Sequence, residues 1–437
     1  MKKTLVLLFV LAFVITGCSN GQGASQSGTV SNSAGTNSEN LPSESKKVNI
    51  SIMSWLADPV QGGIEKMDKS FMSDNPGVTV EYEAVTGDDY RTVYQTRFAS
   101  GNAPDISMNA GYYWLELYGD KLSPITNEAW AEYLPEASKQ RWGYKGELYG
   151  FPINLQSISF IYNKDLFKQA GIADVPKTLT GLKDACTKLK AIEVTPFATC
   201  GTTTSKLAHS VNVAFGRQKD PLQFISELRS GKTKLADNKT FQEWADFFDL
   251  TLKNSYGDVL TTDMDTAYSL FATGKVGIIQ EGSWCESSIL KINPDIEMGI
   301  MPMPINDNAE ENIIAGDAAD GFVITNNENT EISKKLVSYW ALSDEGLSVF
   351  ETYKMIPAMK NVKYDAASLG NLLKEADEYF KAGKYFGWYW YSFPDMTADM
   401  QLGSIMQEYI GGKVDKQGML EEMDAKIAEI EAKSKSK

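Results

Sequence analysis

The stretch VNISIM, beginning at Val48, alternates apolar and polar residues as a half-buried strand does. Ile64, Met67 and Phe71 then recur at helical spacing, and Asn75, Pro76 and Gly77 stop that helix. VTVEYEAV alternates again. Tyr90, Val93, Tyr94, Arg97 and Phe98 mark a second helix closed by Gly101, and Ile106, Ser107 and Met108 read as a short strand after Pro104 and Asp105. Strand, helix, strand, helix, strand predicts an α/β layer with a parallel or mixed sheet.

Beyond Pro152 the pattern turns helical over residues 163–171, 180–192, 241–253 and 263–273, with short strands at 276–280 and 297–301. A strand at 321–325 and a helix at 330–342 restore the first style. From Ala366 the tail is helical on both sides of KYFGWYWYSFPD, which holds seven aromatic residues between Tyr385 and Phe393. The chain has 437 residues, more than one hydrophobic core commonly serves, so two lobes are expected. The first lobe is left, re-entered and left again.

The N-terminus reads as a targeting segment. Lys2 and Lys3 precede the apolar run TLVLLFVLAFVIT, too short for a comfortable permanent span, and the run ends in small residues. Ile15, Thr16, Gly17 and Cys18 resemble the bacterial lipobox, which implies removal of residues 1–17 and a lipidated Cys18 at the new terminus. Two acyl chains make a stable anchor. Residues 18–46 then form a tether rich in Ser, Gly, Asn and Thr, spanning on the order of 30 Å as a flexible coil.

Charge narrows the partners. With 42 basic and 57 acidic side chains the formal charge is −15, a poor match for nucleic acid or an anionic bilayer surface. His209 is the lone histidine, which removes most zinc sites and any triad needing a second one; it reads as structural. GCSNG at 17–21 fits the G-x-S-x-G nucleophile pattern but lies at the cleavage site, not on a strand–turn–helix. No P-loop, EF-hand loop or H-E-x-x-H is present. Cys186, Cys200 and Cys285 allow one internal disulfide, with buried free thiols the simpler reading.

Several segments together resemble the extracellular solute-binding proteins of ABC importers, in the family-1 sugar-binding branch that includes maltose-binding protein. They are FASGNAPDI at 98–106, LYGFPINLQSISFIYNKDLFKQAGI at 148–172, FATGKVGIIQEGSW at 271–284, MPMP at 301–304, and then AGDAADGFVI and LSDEG. Their order covers roughly residues 48–412. The resemblance implies an α/β, two-lobed clamshell with an interlobe hinge and several chain crossings, near Pro152 to Gln156, Met301 to Pro304 and Ile356 to Pro357. Lobe 1 would take residues 47–155 and 304–357, and lobe 2 residues 156–303 and 358–437. It further implies a monomer that captures a mono- or oligosaccharide and delivers it to permease subunits. It would sit lipid-anchored on the outer face of the cell membrane or in the periplasm, with no cofactor, no metal and no chemistry on the ligand. An exported carbohydrate-active enzyme, or a binder of a non-sugar solute such as a polyamine, are the alternatives.

A sugar offers apolar C–H faces and hydroxyl edges, so its site needs aromatic planes and amide or carboxylate partners. Carried over by motif, the resemblance points to Trp55 and Asp58 after the first strand, Asn109 and Tyr112 after PDISM, and Gln156 in FPINLQS. It points further to Trp284 in GSW and to Asp317 in the glycine-rich loop. Tyr113 and Trp114 read as packing beneath the loop, and Asp105 as ordering its turn. In the family the segment before the last helical pair crosses the cleft. If KYFGWYWYSFPD is extended, Trp388 and Trp390 share one side; Trp388, Trp390 and Phe393 are the candidates there.

Overall fold

The computed structural model describes residues 47–56, 60–85 and 89–435; Cys18 and Asp58 lie outside these. The predicted elements form. Strand β1 (Val48–Ser54) leads through a helix at Val60–Asp74 to β2 (Val78–Ala84), and a helix at Asp89–Ser100 leads to β3 (Ile106–Asn109). A small hairpin, β4 (Gly143–Tyr144) and β5 (Glu147–Leu148), stands apart. The remaining strands are β6 (Gly150–Asn163), β7 (Thr195–Ala198), β8 (Val276–Gly282), β9 (Met298–Met301), β10 (Ile314–Ile324), β11 (Ile356–Pro357) and β12 (Tyr385–Phe386).

Except for the hairpin, these strands join one sheet in the order β2-β1-β3-β10-β6-β8-β7, with β9 and β11 on β6 and β12 on β10. β1 runs parallel to β2 and β3, whereas β10 is antiparallel to both β3 and β6. β6 has 14 residues; at about 3.3 Å each it runs on the order of 45 Å, long enough to serve two bodies.

The side chains along β6 and β10 divide accordingly. Ile153 packs with Ile50, Ile106 and Trp340 in a first core. Ile158, Phe160 and Tyr162 pack with Phe197, Phe215 and Phe241 in a second, and Ile161, on the opposite face of the strand, packs with Ile279 and Ile300 in a third. The period of two sends alternate residues to opposite faces of the sheet. On β10, Ala315 belongs to the second core and Phe322, Val323 and Ile324 to the first. Met301, Met303 and Ile305 all lie in the second core, so the chain does not change cores at Met301 to Pro304. It changes on β10, between Ala315 and Phe322. These crossings lie side by side: Gln156 pairs with Asp317, Asn154 with Asp320 and Pro357, and Leu155 with Ile356. The result is a two-lobed α/β fold.

The aromatic stretch is not extended. Its strand ends at Phe386, and Tyr389–Ser392 forms a 3-10 turn. Side chains capture the backbone that would have continued the ladder. Asp317 Oδ2 accepts the Trp388 N–H at 2.9 Å, Asn212 Oδ1 accepts the Tyr389 N–H at 2.9 Å, and Asn212 Nδ2 donates to the Gly387 carbonyl at 3.0 Å. Cys186, Cys200 and Cys285 are buried free thiols.

Candidate ligand-binding site

A cavity of about 930 Å³ opens where the strands cross, within the size range of small-molecule sites. Its floor is the crossing itself: Asn154, Leu155 and Gln156 of β6 and Asp320 of β10. One wall carries Trp55, Tyr90, Arg91 and Trp114, all from the first part of the chain. The other carries Ser205, Lys206 and His209 of the helix Thr204–Gly216, with Trp284 and Glu286 after β8. Trp388, Tyr391, Asp399, Tyr353 and Lys354 also line the cavity.

Four sequence candidates therefore meet: Trp55, Gln156, Trp284 and Trp388. Trp55 leaves the end of β1, donates its indole N–H to Asp320 Oδ1 at 2.9 Å, and packs edge-on against Tyr90 with centroids 4.9 Å apart. Trp284 folds back over Gly282, where a Cβ would lie 2.1 Å from the ring. The Lys206 ammonium sits 4.9 Å from the Trp284 centroid and is held by the fully buried Glu281 at 2.8 Å. Trp388 meets Trp284 edge-on at 6.0 Å.

Five candidates do not line the cavity. Trp390 stacks behind Trp388 at 5.7 Å and on His209 at 5.4 Å. The 3-10 turn puts the two tryptophans one behind the other, where an extended chain would have set both on one side. Phe393 packs on Phe215 in the second core. Asn109 is buried, donating to the Tyr94 hydroxyl at 3.1 Å and accepting the Gly111 N–H at 2.8 Å, so its amide orders the loop. Tyr112, at φ 45°, lies against Arg141. Asp317 points at Arg141 Nη1, 2.5 Å away, and at the Trp388 N–H; it backs the cavity instead of facing it.

The sequence reading missed more of the wall. Trp114, read as packing, lines the cavity, and so does His209, read as structural. Burial, with Lys206 and Arg91 nearby, holds the His209 imidazole well below its ordinary pKa and therefore neutral. Arg91 and Asp399, both in the lining, form a two-pronged ion pair at 2.5 and 2.9 Å. Desolvation pushes the Asp320 carboxyl up to about 6, against the opposing pull of the Trp55 N–H and Arg141, and burial raises Glu286. Only the periodicity of Tyr90 and Tyr94 hinted at the helix face carrying Arg91; nothing local in sequence marked Asp399 or Asp320. Among the described residues no cluster of three or more His, Cys, Asp or Glu is placed to hold a metal. No described helix is long and apolar enough to cross a membrane.

The cavity thus offers indole planes framed by amides, hydroxyls and charge pairs that offset one another. The chain is similar to the melibiose/raffinose/stachyose-binding protein MelE of Bacillus subtilis, 23% identical over 380 residues that cover 84% of this chain and 83% of that one. Among solved structures, a chitin oligosaccharide binding protein matches with a TM-score of 0.76 at 21% identity, over 88% of this chain and 99% of its own. RafE in complex with raffinose matches at 0.71 and 18%, over 88% and 99%. Residues 51–346 match the family model described as bacterial extracellular solute-binding protein, and the chain belongs to that family.

Proposed function

We propose that this chain captures a carbohydrate, a mono- or oligosaccharide, in the cavity at the strand crossing and delivers it to the permease of an ABC importer without altering it. The observation that carries the reading is the meeting of Trp55, Trp114, Trp284 and Trp388 around one space floored by Asn154, Gln156 and Asp320. Indole faces cover pyranose C–H surfaces, and amides and carboxylates match hydroxyls. The sugar ligands named for similar proteins support it. A polyamine would want uncompensated inward carboxylates. Here Asp399 is engaged by Arg91, Asp320 by the Trp55 indole N–H, and Glu286 by the backbone N–H groups of Asn371 and Leu372.

Titration calorimetry with raffinose, stachyose, chitotriose, maltotriose and spermidine tests this. Saccharide binding without cleavage of the glycan is expected. Spermidine binding alone, or glycan hydrolysis, would overturn the reading.

We further propose that the lobes divide at the three crossings, with residues 47–155 and roughly 320–362 in one and 156–317 and roughly 364–437 in the other. They close on ligand as a monomer does by hinge bending. Cys18 carries the lipid anchor that keeps the body at the outer face of the membrane. Mass spectrometry of the native N-terminus tests the anchor; an unmodified Cys18 would sink it.

A further inference from the structure

Asp320 occupies an unusual place on β10. The register with β6 shifts on both sides of it, between Asp317 and Asp320 and again between Asp320 and Gly321. Such irregularities re-aim a side chain. Here the carboxylate, almost wholly buried, is turned to the Trp55 indole N–H at 2.9 Å, and both residues line the cavity. Trp55 comes from an irregular segment after β1, so β1 itself does not fix its ring. Its neighbours Tyr90 and Trp114 meet it edge-on, at 4.9 and 6.2 Å. Edge contacts bound the ring without setting its rotation, whereas a directed hydrogen bond does set it.

Resting on the carbohydrate reading above, we infer that Asp320 is the positioning residue that holds Trp55 with its indole face toward the bound sugar, so that ligand affinity depends on this carboxylate being ionised. A hydrogen bond to an ionised acceptor is roughly twice as strong as a neutral one. The raised pKa of Asp320 places its ionisation within a readable pH range. The titratable groups acting on it are Arg141, which favours the ion, and Tyr82 of β2. Elsewhere on the cavity wall stand the Arg91–Asp399 pair, Lys206, Glu286, Lys354 and the neutral His209.

Two measurements on the full chain test this. Calorimetry uses the panel saccharide that binds tightest at pH 8. Affinity of the wild type should fall about tenfold between pH 7 and pH 5, a loss of the size expected when one charge-assisted bond becomes neutral. Asp320→Asn keeps an acceptor without a charge, so at pH 8 it should bind about tenfold more weakly than wild type, as wild type itself does at pH 5, and lose that pH dependence. Asp320→Ala should bind more weakly than Asp320→Asn at every pH. Equal profiles for wild type and Asp320→Asn, or wild-type affinity in Asp320→Ala, would overturn the inference. The second measurement needs no sugar: fluorine NMR of protein labelled with 5-fluorotryptophan, the Trp55 signal assigned by Trp55→Phe. That signal should titrate near pH 6 in wild type and not in Asp320→Asn. Absence of saccharide binding at pH 8 would defeat the carbohydrate reading alone. A Trp55 signal unmoved between pH 5 and 8 would defeat the positioning role even then.

Discussion

Arg141 and Asp317 meet at 2.5 Å in the wall behind the cavity, the guanidinium fully buried and ringed by Tyr112, Trp388 and Tyr391 at 5.2–6.0 Å. The same Asp317 oxygen accepts the Trp388 N–H. One ion pair therefore joins the helix Glu136–Trp142, the crossing strand β10 and the aromatic stretch. Removing one partner of a buried pair strands the other charge. Arg141→Met is expected to cost about 3–5 kcal/mol in urea unfolding. The double variant Arg141→Met/Asp317→Asn should recover part of that loss. A double variant no more stable than the single would mean the stranded charge is not the source.

Two buried carboxylates make a contribution to stability that should fall as pH rises. Asp68 is buried and takes the Trp340 indole N–H at 2.9 Å. Its other oxygen has no protein hydrogen-bond partner among the described residues. Desolvation, opposed by that bond and aided by Glu65, raises its pKa from 3.8 to about 7; Asp320 is raised to about 6. Both folded-state values exceed the unfolded one, so the folded protein holds these protons more tightly. The contribution is fully present below the unfolded pKa and is lost as pH climbs through 6 and 7. Asp68→Asn should be worth up to about 4 kcal/mol at pH 8 and almost nothing near pH 4. A stability difference that does not change with pH in parallel denaturant melts would refute this.

Gly282 offers a test of Trp284 that leaves the ring in place. A methyl group there would lie 2.1 Å from the indole, so Gly282→Ala must push the ring from its position on the wall. Saccharide affinity is expected to drop about tenfold, toward the loss seen on truncating an interface aromatic. The backbone at Gly282 is ordinary extended chain, at φ −91°, so the fold should survive. Unchanged affinity in calorimetry would take Trp284 out of the site.

Much of the fold was legible because it is written in local periods. The alternation of VNISIM and the spacing of Ile64, Met67 and Phe71 gave β1 and the helix Val60–Asp74 directly. The crossing on β10 was hidden, because Ile314 to Ile324 includes an Asp-Ala-Ala-Asp run with no alternation to read. MPMP looked like a hinge for its prolines, yet Met301 and Met303 are core residues. In the site, residues inside recognisable motifs were found, as with Trp55 and Trp284. Asp320, Arg91 and Asp399 are brought to the cavity by bulges and helix packing between distant segments, which no local pattern encodes. The aromatic stretch misled because its strand is cut short by Asp317 and Asn212, 71 and 175 or more positions away.

That geometry separates three aromatic residues that looked alike. Trp388 lines the cavity, Trp390 backs it, and Phe393 lies in the second core against Phe215. Trp388→Ala should weaken saccharide binding by about 1.5–3 kcal/mol, roughly 10- to 150-fold, because it removes a plane that covers the sugar and excludes water. Phe393→Ala should leave the affinity of the folded protein near wild type and cost about 3–5 kcal/mol of stability, since it opens a void in packed core. Trp390→Ala combines the two, with a core-sized loss of stability and a smaller loss of binding as Trp388 gives up its support. Each variant needs a ligand titration and a denaturant melt without ligand. A Trp388→Ala protein that binds normally after losing a core-sized amount of stability would make that ring structural. The cavity's aromatic surface would then rest on Trp55, Trp114 and Trp284.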